Sequence, residues 1–151
     1  MNLDIGYYSF YEDCAEIFTP FLAKFGFFEI GQIGQDDDYT KHYRNEYWIL
    51  EISMLFSFPH IGVGFLFLNL MMETAWPRIL RTMIPVDGKA VTNFYNQFSK
   101  DNDLTDYRNQ MTFEVEILNR FYKKVLMGEI TFKDYQLFLD KMEPEKPESP
   151  N

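Results

Sequence analysis

The sequence predicts an α+β fold: an N-terminal helix, a four-stranded antiparallel meander, then C-terminal helices packed on the sheet. Apolar residues recur at helical spacing before Gly26, follow a period of two through the next part of the chain, and return to helical spacing from Val91 onward. A chain of 151 residues buries roughly 70% of its unfolded surface, which is enough for a core without disulfides. We therefore expect one domain over residues 1–142, followed by a flexible tail rich in Pro and Glu over residues 143–151.

The first helix is predicted over residues 9–25. Ser9 and Glu12 have the spacing of a capping box. The apolar stripe that follows consists of Phe10, Cys14, Ile17, Phe18, Phe21, Leu22 and Phe25. Pro20 interrupts it, and a proline in a helix interior costs about 3 kcal/mol. We therefore expect the helix to kink there, or to restart with Thr19 as its cap and Pro20 at the first helical position.

The four strands are predicted from alternating residues between turn signals. They cover residues 27–33, 39–44, 47–55 and 61–70. Short connections between successive strands indicate an antiparallel meander. The fourth strand is apolar on both faces, so we expect the C-terminal helices to screen its second face.

Residues 52–72 carry no charge, and a segment of this length is long enough to span a bilayer. Pro59, His60 and Asn69 lie near its middle, where each is costly or weakens a helix. The segment is therefore interpreted as a buried hairpin, and no membrane association is expected.

Helical spacing dominates the C-terminal part of the chain, after a less regular segment at residues 71–86. Three helices are predicted there: one through Val91 and Phe98, a longer one from Met111 to Leu126 that ends at Gly128, and a last one capped by Thr131. The middle helix carries a second apolar stripe, so we expect it to touch two neighbours.

Acidic residues are concentrated at the N-terminal end. The first 60 residues hold ten Asp or Glu and three Lys or Arg, a net charge of −7, whereas the whole chain carries −9. Such a field repels nucleic acid and anionic lipid and steers basic macromolecules toward one side. The expected partner is a basic protein.

No residue pattern specifies catalysis, a metal or a cofactor. Two histidines, His42 and His60, are too few for a zinc site or a triad with a paired base. The run Asp36–Asp38 lacks the spacing of a calcium loop, and Gly62 and Gly64 lack the third glycine of a dinucleotide motif. The only cysteine, Cys14, lies on the helical stripe. It is predicted to be an inert core thiol in a reducing compartment, and no signal peptide is visible, so the cytoplasm is expected.

The tyrosines suggest where a protein partner would bind. Aromatic anchors beside carboxylates are typical of interfaces that meet Arg or Lys. The predicted partner-binding residues lie on the hairpin of the second and third strands and in the turn before it: Tyr39, Tyr43, Tyr47, Asp36, Asp37, Asp38 and Glu46. The alternative is a girdle of half-buried tyrosines around a small core.

The order of elements resembles that of the small acidic immunity proteins of bacterial polymorphic and contact-dependent toxin systems. The resemblance lies in a helix ending at Phe25-Gly26-Phe27, a meander carrying YRNEYWILEI, and the helical segment FEVEILNRFYKKVLMGEITFKDYQLFLDKM. It spans residues 9–142 and is a likeness of layout. It implies a one-to-one inhibitor of a toxin encoded beside it, often a basic nuclease. These immunity proteins share no catalytic motif and place their toxin contacts differently, so no functional residue is carried over.

A second hypothesis is a small-ligand-binding domain or enzyme with its pocket between sheet and helices. Such pockets are concave and mostly apolar with few polar groups. Its predicted lining consists of Trp48, Trp76, Tyr43, His42 and Arg78.

Overall fold

A computed structural model describes residues 4–31, 39–55, 60–67 and 78–130. It confirms the predicted architecture of an N-terminal helix, an antiparallel meander and C-terminal helices. The elements are α1 (Asp4–Ala23), β1 (Phe28–Ile30), β2 (Tyr39–Arg44), β3 (Trp48–Leu55), β4 (His60–Phe67), β5 (Arg78–Leu80), α2 (Gly88–Asp101), α3 (Tyr107–Phe121) and α4 (Lys123–Leu126). The predicted last helix after Thr131 and the tail at 143–151 lie outside the described residues.

Helix α1 is longer than predicted and is continuous through Pro20. It begins before Ser9, so the capping box does not mark its start, and Thr19 is not the cap of a second helix. Pro20 is exposed, and its missing N–H costs only the bond to the carbonyl of Glu16. Phe18 and Leu22, on either side of it, are fully buried in the core, and this packing holds the helix across the proline.

Helix α1 ends at Ala23, and the turn that follows it contains Gly26, the glycine at which the sequence predicts the helix to stop. Gly26 has φ 79°, a left-handed conformation that favours glycine. The N–H of Gly26 donates to the carbonyl of Ala23 at 3.1 Å, and that of Phe27 donates to the carbonyl of Leu22 at 3.1 Å. This pair of bonds is a Schellman motif, which satisfies the last helical carbonyls and turns the chain into β1.

The sheet has five strands in the order β1-β2-β3-β4-β5, and every neighbouring pair is antiparallel. The fifth strand extends the predicted meander and was not expected, because the segment at 71–86 shows no clear alternation. Register places Tyr43 opposite Leu50, and Leu50 opposite Phe65. These three residues form a buried row across the middle of the sheet.

The core lies between one face of the sheet and the helices. Its cluster contains Phe18 and Leu22 of α1, Ile117 of α3 and Val63 of β4, among others. Leu66 is buried as well but does not belong to that cluster. Leu66 lies on the face of β4 opposite to Phe65. The expectation that the C-terminal helices cover that face therefore stays a prediction.

The helix predicted from Met111 to Leu126 is broken in two at Tyr122, whose φ and ψ are −122° and 14°. α3 contacts α1, β4 and α2, so it packs against more than one neighbour, as its second apolar stripe predicts. α4 ends at Leu126 and is followed by Gly128, which has φ 74°.

Within the described ranges, no helix is both long and apolar enough to cross a membrane. Where it is described, the uncharged segment at 52–72 forms the second half of β3 and the whole of β4.

Candidate functional site

The structure places Tyr43 in the core rather than on a binding surface. Its side chain is 0% exposed and lies under α1. The hydroxyl donates to the carbonyl oxygen of Cys14 at 3.3 Å and lies 3.0 Å from Oγ1 of Thr19. Burial raises the pKa of Tyr43, so the phenol stays a neutral donor. A partner cannot reach it, which corrects its prediction as a binding anchor.

Tyr39 and Tyr47 lie at opposite ends of the β2–β3 hairpin. Tyr39 is the first residue of β2, and Tyr47 lies in the turn after it. The six residues of β2 separate them by about 17 Å at the rise of an extended strand. Tyr47 is 47% exposed, and a Cβ added at Gly128 would collide with its ring. The three predicted tyrosines therefore do not form one surface.

Tyr39 instead pairs with a tyrosine that the prediction did not select. Its ring lies 5.9 Å from that of Tyr11 on α1, with the rings tilted by 47°. Phe10, which is fully buried, packs edge-on against both rings, at 6.0 Å from Tyr39 and 5.2 Å from Tyr11. Tyr11 is 40% exposed and Tyr39 is partly buried. Tyr11, Tyr39 and the exposed Glu12 are here called the tyrosine-acid surface.

Several N-terminal carboxylates are used inside the molecule. Asp13 is buried and accepts hydrogen bonds from the Tyr107 hydroxyl and from an Arg108 nitrogen, the latter at 2.6 Å. The same guanidinium lies 3.1 Å from Glu16. These bonds join α1 to α3, and they neutralise part of the N-terminal acidity with a C-terminal arginine.

Two further carboxylates are paired within the sheet. Lys41 Nζ lies 2.9 Å from Glu29, and its hydrogen bond lowers the pKa of that carboxyl. His42 Nε2 lies 2.9 Å from Glu51. Among the acidic side chains of the first 60 residues that the structure describes, Asp13, Glu16, Glu29 and Glu51 are thus partnered.

Glu12 and Glu46 are exposed and form no ion pair with another described residue. They lie apart, since Glu12 follows Tyr11 in α1 and Glu46 precedes Tyr47 in the hairpin turn. The predicted binding residues Asp36, Asp37 and Asp38 lie outside the described residues. In the chain, Asp38 directly precedes Tyr39. Of these two described carboxylates without an ion pair, Glu12 is therefore the one that belongs to the tyrosine-acid surface.

The predicted ligand pocket is not formed by its predicted lining. Trp48 is 2% exposed, belongs to the core, and donates from Nε1 to the carbonyl of Val125 at 2.9 Å. His42 lies on the opposite face of the sheet, because it is paired with Glu51 while Trp48 shares a face with Leu50. Trp76 and the side chain of Arg78 lie outside the described residues.

An ion pair that the sequence did not single out lies at the other side of the core. Arg81 donates to Glu114 through two nitrogens, at 2.5 and 2.7 Å. Burial raises the pKa of Glu114, and the guanidinium opposes that rise. The sequence did contain a sign of this ion pair, because Glu114 lies three residues after Met111 and four before Leu118 on the buried stripe of α3. A carboxylate on such a stripe needs a buried partner.

The thiol and the metal-binding side chains can be assessed in the part of the chain that the structure describes. Burial raises the pKa of Cys14 to about 12, which suppresses the reactive thiolate. The described residues contain no group of three or more His, Cys, Asp or Glu side chains placed to hold a metal ion.

Comparison with protein-family models, with curated proteins and with solved structures gave no match. The resemblance to immunity proteins therefore stays a prediction that rests on the layout of the chain.

Proposed function

We propose that this protein is a binding module for a basic protein partner, which it holds through the tyrosine-acid surface. The observation that carries the proposal is Tyr11, a large aromatic side chain that is 40% exposed although its chain neighbour Phe10 and its ring partner Tyr39 hold it in place. Exposed aromatic residues that are already ordered lose little conformational entropy on binding, which makes them good anchors.

Charge supports a basic partner at this place. Glu12 lies beside Tyr11 and has no ion pair within the described ranges, and the Asp36–Asp38 run directly precedes Tyr39 in the chain. A cationic protein would be steered toward these carboxylates, whereas nucleic acid would be repelled. The energetic centre is the aromatic pair, because exposed charge pairs contribute only about 0 to 1 kcal/mol.

The most concrete form of the proposal is an immunity-type inhibitor that neutralises a basic toxin in the cytoplasm. Its support is the likeness of layout described above, together with the net charge of −9 and a single buried thiol. A gene for a large secreted toxin beside the gene for this protein would favour this form over other binding roles.

A site-specific crosslinking experiment tests the contact surface and identifies the partner together. A photoreactive benzophenone side chain replaces Tyr11 in one variant and Tyr47, which is exposed to a similar degree at the other end of the hairpin, in a second. Both are irradiated in the native cell, and the adducts are identified by mass spectrometry. We expect one basic protein to crosslink at position 11 and not at position 47. A partner that crosslinks only at position 47, or an acidic one, would contradict the proposal.

A further inference from the structure

A cleft with a volume of about 220 Å³ lies between the start of β4, helix α2, helix α3 and the loop that joins the two helices. It is separate from the tyrosine-acid surface. The lining residues that matter for its chemistry are His60, Tyr95, Leu104, Gln110, Phe113 and Glu114.

One wall of the cleft is aromatic and held in place. The rings of Tyr95 and Phe113 meet edge to face, with centroids 5.7 Å apart and planes at 84°. Phe113 is stacked on Phe94 at 5.7 Å and packs against Phe98 at 5.4 Å. Tyr95 itself is 46% exposed, so it forms the rim of the cleft. Such a wall offers both a ring face and a ring edge to a planar ligand.

The polar end of the cleft is formed by the exposed His60, by Gln110 and by Glu114. Gln110 is already engaged, since its side chain accepts from the N–H of Ile61 at 2.9 Å and donates to the carbonyl of Leu104 at 2.8 Å. Glu114 is 6% exposed and receives two hydrogen bonds from Arg81. Each carboxylate oxygen has two lone pairs, so Glu114 retains capacity to accept one more hydrogen bond from the cleft.

We propose that this cleft binds a small, neutral aromatic molecule that carries one N–H or O–H donor directed at Glu114. An anion would be repelled by the Glu114 carboxylate, and the negative charge of that carboxylate is already balanced by Arg81, so a neutral donor fits best. Size agrees with this class, because a cavity of about 150 Å³ admits benzene and the cleft measures about 220 Å³. This inference does not depend on the proposed protein partner.

Titration of the full chain with indole, followed by amide chemical shifts, tests the proposal. 1-Methylindole is the matched probe, since it keeps the ring system and lacks the N–H. We expect saturable shifts confined to residues around the cleft, and about tenfold or more weaker binding of 1-methylindole, which is the worth of one hydrogen bond to a charged group.

Two variants locate the site. Leu104→Trp should fill the cleft and abolish the shifts, while Tyr95→Ala should weaken indole several-fold by removing half of the aromatic wall. Tyr47→Ala removes a tyrosine of similar exposure elsewhere and should leave indole binding unchanged. Because Tyr95 lies at the exposed rim, its variant keeps the test decisive if Leu104→Trp does not fold. No saturable shift with indole, equal affinity for the two probes, or unchanged binding in Tyr95→Ala would each overturn the proposal.

Discussion

Replacing Asn45 by Ala should destabilise the protein strongly, although the residue lies in a turn. Its side chain is 4% exposed and makes four hydrogen bonds. Nδ2 donates to the carbonyls of Phe25 at 3.1 Å and Leu126 at 3.0 Å, and Oδ1 accepts from the N–H groups of Tyr47 at 2.8 Å and Trp48 at 2.9 Å. One amide thus joins the segment after α1, the β2–β3 turn and α4.

The expected loss follows from these bonds. Each contributes about 1 kcal/mol net. Water can replace the bond at Tyr47, where the turn is exposed, but it cannot easily reach the carbonyl of Leu126. Asn45→Ala should therefore lower the free energy of unfolding by about 2 to 4 kcal/mol, a large part of the roughly 5 to 15 kcal/mol that a domain has. Urea unfolding followed by tryptophan fluorescence measures it.

Asn45→Asp is the matched control, because it has the same shape and keeps the acceptor oxygen. Its second oxygen replaces the donor that faces two carbonyls, so the folded protein should raise the pKa of the new carboxyl above the unfolded value of about 3.9. The new carboxyl then ionises at a lower pH in the unfolded protein than in the folded protein. The deficit relative to wild type should be small below about pH 4 and grow by up to about 1.4 kcal/mol per pH unit as pH rises toward the folded pKa.

If Asn45→Ala lowers the free energy of unfolding by less than about 0.5 kcal/mol, the range of an ordinary surface substitution, the four hydrogen bonds do not stabilise the fold as proposed. The same conclusion follows if the deficit of Asn45→Asp is the same at pH 4 and pH 7.

Three further predictions concern the core. Phe65 is fully buried and packs edge-on against Trp48 at 5.5 Å, so Phe65→Ala should cost about 3 to 5 kcal/mol in urea unfolding; a near-neutral result would mean that β4 is misplaced. Cys14, with a pKa of about 12, should react with a disulfide reagent at pH 8 more than about a thousandfold more slowly than a free thiol; rapid labelling in the absence of urea would contradict its burial. Arg81→Met should cost about 3 to 5 kcal/mol at neutral pH, because it leaves Glu114 buried without a counter-ion. That loss should shrink as pH falls and Glu114 takes up a proton, and a pH-independent loss would refute the ion pair as its cause.

Much of the fold could be predicted from periodicity alone, and its departures have physical reasons. Pro20 predicts a kink or a restart in α1, and the helix does not restart there, because the burial of Phe18 and Leu22 outweighs one missing hydrogen bond at an exposed position. Strand β5 has only three residues, which is too short to show an alternation. It forms because β4 presents an edge for it to pair with.

The candidate site was harder to predict, because tyrosine serves both core and surface. Alternation places Tyr39 and Tyr43 on one face of β2, but it does not show which end of that face the helix leaves open. Tyr11 joins Tyr39 only through the packing of α1 on the sheet, which no local pattern encodes. The charge imbalance was an equally indirect guide to the site, because Arg108 lies far along the chain from Asp13 and yet neutralises it.

Affinity for the crosslinked partner, measured for Tyr11→Ala and Tyr47→Ala at two salt concentrations, tests the central claim most directly. If the tyrosine-acid surface is the contact, Tyr11→Ala should weaken binding by about thirtyfold or more, the loss of a 2 kcal/mol anchor, and Tyr47→Ala should change it less than about threefold. Raising the salt concentration should slow association of the wild type more than it speeds dissociation. A larger loss in Tyr47→Ala than in Tyr11→Ala, or an association rate that does not respond to salt, would contradict the account.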